Sequence, residues 1–86
     1  MQIDGAIITE ENIQIAIVSV KPILFNKPAE KEVFREKCQS VFPSLPVILM
    51  TQNPRGMQMY VGQQDIVKLL NKKSYRRIPF QKYTID

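Results

Sequence analysis

Eighty-six residues, 44% of them apolar, predict one small domain over residues 1–86. The single cysteine, Cys38, leaves no intrachain disulfide, and the lack of histidine removes both a Cys/His metal centre and the commonest general base. The net charge of +4 is uneven: residues 1–43 carry five Lys/Arg against six Asp/Glu, and residues 44–86 carry seven against two.

In chain order, Ile3 to Thr9 reads as a strand, weakened by Gly5. The polar break Glu10-Glu11-Asn12 leads into Ile13 to Val20, apolar on both faces, which predicts a central strand covered at least partly on both sides. The two strands are expected to form a hairpin. Lys21-Pro22 ends the pairing, and Ile23-Leu24-Phe25 continues as apolar loop or strand end. Asn26 is the expected N-cap of a helix over Pro28 to Val41, with proline in its first turn. Phe34, Cys38, Val41 and Phe42 form its apolar stripe, joined by Val33 and Ala29. Pro43-Ser44-Leu45-Pro46 stops it.

Val47 to Gln52 is the next strand. Asn53-Pro54-Arg55-Gly56 fits a type I turn with glycine in a left-handed conformation, the three-residue hairpin loop that carries a glycine bulge. That loop pairs Gln52 with Gln58, Thr51 with Met59, Met50 with Tyr60 and Leu49 with Val61. The Leu49, Met59 and Val61 face is expected to meet the helices, and Met50, Gln52, Gln58 and Tyr60 to look away from them. A second helix opens at Gly62-Gln63-Gln64-Asp65 and runs to about Lys72, with Asp65 and Lys68, Lys72 and Lys73 suiting the two ends of its dipole. The stretch from Arg77 to Ile85 forms the last strand, and Pro79 gives it an edge position or a late start.

The order β-β-α-β-β-α-β predicts an α+β two-layer sandwich. Its core is a ferredoxin-like split β-α-β unit with an extra N-terminal strand, and both helices lie on one face of a mixed or antiparallel sheet. The strands starting at Ile13 and Met57 occupy the centre of that arrangement.

One sheet face would then stand open, and Met50, Gln52, Gln58 and Tyr60 on it are the candidate interaction residues. A non-catalytic protein-interaction domain is the expected role, with a homodimer through the open face or a strand edge as its form. The alternative is a basic nucleic-acid-binding domain. Lys72, Lys73, Tyr75, Arg76 and Arg77 place four cations around one ring, and Arg55 adds a cation at the hairpin tip. Against a base-stacking strand, Met57 and Met59 stand where such a strand needs aromatics. The carboxylates form no dyad or metal-ligand spacing, and no glycine-rich phosphate loop is present, so no catalytic, metal, cofactor or small-molecule site is expected. Cys38 falls on the helix stripe and reads as a buried structural thiol. Without a signal-peptide pattern or a run long enough to span a bilayer, and with one free thiol, the expected location is cytoplasmic.

Overall fold

The computed structural model describes residues 1–72 and 78–85. β1 (Gln2–Glu10) and β2 (Ile13–Ser19) form the expected hairpin, with Glu10 opposite Ile13 and Asp4 opposite Ser19. Glu11 and Asn12 between them both take positive φ, 49° and 67°. This is type I′ geometry, whose twist matches that of the flanking strands. The segment after β2 is not a loop or strand end: Pro22–Phe25 is a short helix, α1, started by a proline whose φ is already helical. Asn26 is therefore not the N-cap of the next helix. It closes α1 instead, donating its backbone N–H to the Ile23 carbonyl at 3.2 Å.

α2 (Pro28–Val41) has the expected limits. Gln39 ties off its C-terminal end, with Nε2 donating to the carbonyls of Phe42 at 2.6 Å and Leu45 at 2.7 Å. These bonds brace the loop that follows the helix, which leads into β3 (Val47–Gln52). β4 (Gln58–Val61), α3 (Gln64–Asn71) and β5 (Gln81–Thr84) follow. β5 starts late, after Pro79, and lies at a sheet edge, as the proline requires.

The chain is thus a small α+β protein, with a mixed five-stranded sheet and three helices among the described residues. The sheet order is β4-β3-β2-β1-β5, with β2 and β3 parallel and every other neighbour antiparallel. The ferredoxin-like order is not the one adopted. β4 lies at an edge rather than in the centre, and β2 sits directly beside β3. The composition of the strands explains the difference. Val47 to Met50 is a continuous apolar run, all buried, and such a run belongs in a doubly covered parallel strand. β4, with two glutamine-and-methionine positions ahead of Tyr60, has no such run and tolerates the edge.

The placement of the helices is also corrected: they cover both faces. Successive strand residues point to opposite sides. Ala16 and Val18 belong to one buried cluster with Leu49 and with Cys38 and Phe42 from the α2 region. Ile15 and Ile17 belong to another, with Ile48, Met50 and Ile66 and Leu70 of α3. The sheet is therefore sandwiched between α2 and α3. β2 is the central strand expected, with Ile15 to Val18 fully buried. No helix among the described residues is long and apolar enough to cross a membrane.

Candidate interaction surfaces

The hairpin of β3 and β4 has the expected register: Leu49 faces Val61, Met50 faces Tyr60, Thr51 faces Met59 and Gln52 faces Gln58. Asn53 sets this locally. Its Oδ1 accepts the backbone N–H groups of Arg55 and Met57, both at 2.9 Å. Its own N–H donates to the Met57 carbonyl, and its carbonyl accepts from Gly56. Gly56 has φ of +80°, the left-handed position that the turn demands.

The two hairpin faces separate as expected, but both are covered at β3: Leu49 is buried on the α2 side and Met50 on the α3 side. Met50 is not a surface residue. It is 4% exposed, buried under α3 with Ile48, Ile66 and Leu70. Tyr60 lies half-buried against the same cluster and donates its hydroxyl to Gln58 Oε1 at 2.6 Å. Burial pushes the Tyr60 phenol above its ordinary value. Gln58 is half-buried, and of the four candidates only Gln52 is exposed. The large apolar side chains of the hairpin that reach solvent are on the opposite face: Met57 is 63% exposed and Met59 45%. α2 is seated over Val18 and Leu49 in the middle of the sheet, so the methionines on the outermost strand stay open. Periodicity placed them on the α2 side correctly. The edge position of β4, which decides their exposure, is a long-range fact.

The two sheet edges differ in charge. On β5, Lys82 pairs with Asp4 of β1 at 2.7 Å. β4 reads Gln-Met-Tyr-Val and carries no charge. Because Asn53 bonds to Met57 across the turn, alternate residues Met59 and Val61 turn their backbone groups towards β3, and those of Tyr60 point outward from the edge.

A second surface lies beside α1 and α2 and was not anticipated in the sequence. Two adjoining hollows, of about 390 and 520 Å³, share Met1, Leu24 and Phe34 in their walls. Ile23 and Val33 complete the apolar lining, and both are more than half exposed. Val33 lies on the flank of the Phe34–Cys38 stripe, so helical spacing alone groups it with the apolar side. Ile23 is displayed by the α1 turn, where the sequence predicts apolar loop or strand end.

Of the basic residues, Arg55 at the hairpin tip and Lys72 at the end of α3 are exposed. Lys73, Tyr75, Arg76 and Arg77 lie outside the described residues. Cys38 is fully buried in the α2 cluster, and burial pushes its thiol up to about 11, which disfavours the thiolate. Among the described residues no group of three His, Cys, Asp or Glu side chains could hold a metal ion. On α2, Glu30 pairs with Lys27 at 3.7 Å and Glu32 with Arg35 at 3.0 Å. No protein-family model matches this chain, and no curated protein and no solved structure matches it either.

Proposed function

We propose that the chain is a non-catalytic protein-interaction domain whose β4 edge pairs with a second copy of itself. The observation that carries this reading is the exposure of Met59 on an uncharged edge strand, with exposed Met57 immediately before it. Natural proteins guard sheet edges with lysine, proline or a bulge, because an open edge is a template for pairing. The β5 edge carries Lys82 and follows Pro79, whereas β4 has neither device. An antiparallel pair centred on Tyr60 would use its outward backbone groups, join the two sheets, and bury the methionines of both copies.

Light scattering across a concentration series tests this. The expected result is a dimer at high concentration that Met59→Lys converts to a monomer without lowering thermal stability, since Met59 touches solvent already. A strict monomer throughout overturns the reading. If that monomer also bound single-stranded DNA, with affinity falling steeply as salt rises, the result would favour the basic surface of Arg55 and Lys72 instead.

A further inference from the structure

The groove beside α1 and α2 is separate from the β4 edge, and its lining says what it would hold. Three of the exposed large apolar side chains, Met1, Ile23 and Val33, line it, over a floor that includes Leu24 and Phe34. On α2, Ala29, Val33 and Lys37 stand four residues apart and so form one ridge along the groove, about 12 Å long at the helical rise.

Charge at the rim is one-sided. Asp4 is taken by Lys82 and Glu30 by Lys27. Lys21 and Lys37, which also line the groove, have no carboxylate partner among the described residues. The uncompensated charge is therefore positive, and the complementary partner is acidic. Backbone geometry selects the partner's conformation. β1 is the strand at the groove: Asp4 is bonded to β2 on one side and β5 on the other, and Gln2 and Ile3 are bonded to β5. Met1 also exchanges backbone hydrogen bonds with Ile85. An extended peptide would find only the Gln2–Ile3 end of β1 to pair with, too short a stretch to seat a strand. A helix, whose backbone is satisfied internally, needs only side-chain contacts.

From the apolar floor, the two free lysines and the shortness of the open strand end, we propose that this groove binds an acidic amphipathic helix of a partner protein. The helix would seat its apolar stripe against Ile23, Val33 and Phe34, with carboxylates on its flanks facing Lys21 and Lys37.

Fluorescence anisotropy with three designed helical peptides tests it: one with a leucine stripe flanked by glutamates, the same stripe flanked by lysines, and a scrambled acidic sequence. The acidic amphipathic peptide should bind, and both controls should bind at least about tenfold more weakly, the loss expected when an apolar anchor or a matched charge is removed. Ile23→Glu and Val33→Glu change exposed positions, so the variants should fold, which circular dichroism checks. Each should abolish binding, and Lys37→Glu should weaken it by about tenfold while flattening its salt dependence. Met59→Lys should leave it unchanged, which separates this site from the β4 edge. Equal binding of the acidic and basic peptides, or binding that survives Ile23→Glu, overturns the proposal. So does a dimer that Ile23→Glu dissociates, because the groove would then hold a second copy.

Discussion

The two helices that sandwich the sheet bury very different shares of themselves. α3 has eight residues and buries three, Ile66, Leu69 and Leu70. α2 has fourteen and buries only Cys38, resting otherwise on half-buried Phe34 and Val41 and on Phe42 just past its end. The short helix presses its apolar side onto the sheet. The long one rides high on its face and leaves a flank, with Ala29 and Val33, facing solvent beside α1. A cover that buries most of its apolar stripe is used up in stability, while a cover that leaves part of its stripe exposed retains surface for another molecule. Both candidate surfaces, the groove and the methionines of β4, are on the α2 side.

The strongest test of that contrast removes a side chain from the tight cover. Leu70→Ala should lower the unfolding free energy by about 3 kcal/mol, since Leu70 is fully buried between α3 and Ile48 in a domain with little core to spare. Urea titration measures it, and a loss under about 1 kcal/mol would mean that α3 is not the tighter cover.

A glycine on each face gives the next comparison. Gly62 has φ of +157°, and a Cβ there would run into Ile48 Cδ1 and the Val47 carbonyl, so Gly62→Ala should cost about 2 kcal/mol through overpacking and backbone strain. On the α2 side, a Cβ on Gly5 would meet the rings of Phe42 and Tyr83 at 3.1 Å. These rings stack edge-to-face at 4.9 Å over the glycine, which accounts for a residue that otherwise weakens a strand. The rings can shift slightly, so Gly5→Ala should cost less, about 1 kcal/mol. Equal losses would show the two faces to be equally tight.

Alkaline pH probes one titrating group on each side. The Cys38 thiol is raised from 9.0 to about 11 and the Tyr60 phenol is raised from 10.0, both by burial. In each case the unfolded chain loses its proton first, so stability is intact below pH 9 and falls as pH climbs from 9 towards 11. Cys38→Ala should remove most of the decline that begins near pH 9, and Tyr60→Phe the part that begins near pH 10. An unchanged pH profile in Cys38→Ala would mean that the thiol ionises freely in the native protein.

The smallest effect belongs to the loose cover itself. Val33→Ala should change stability by less than about 0.5 kcal/mol, because the side chain is already half in water. A cost comparable to that of Leu70→Ala would place Val33 in the core and remove the groove.

The sequence by itself determined whatever depends on neighbours along the chain. Asn53-Pro54-Arg55-Gly56 settled the register of β3 on β4 because a side-chain acceptor and a left-handed glycine act within five residues. Pro28 and the helical spacing of Phe34 and Cys38 set the limits of α2, and the two-sided apolar run marked β2 as central. Only the tertiary structure decided which strand lies beside which and which helix lies on which face. β4 at an edge, α3 opposite α2, Met50 buried and Met59 exposed all follow from that one choice. Its physical reason is long-range: the apolar run from Val47 to Met50 gains most between two covers, and the short β4 strand takes the edge that remains. Alternation assigned each hairpin residue to a face, but what covers a face is decided by chain far away in sequence.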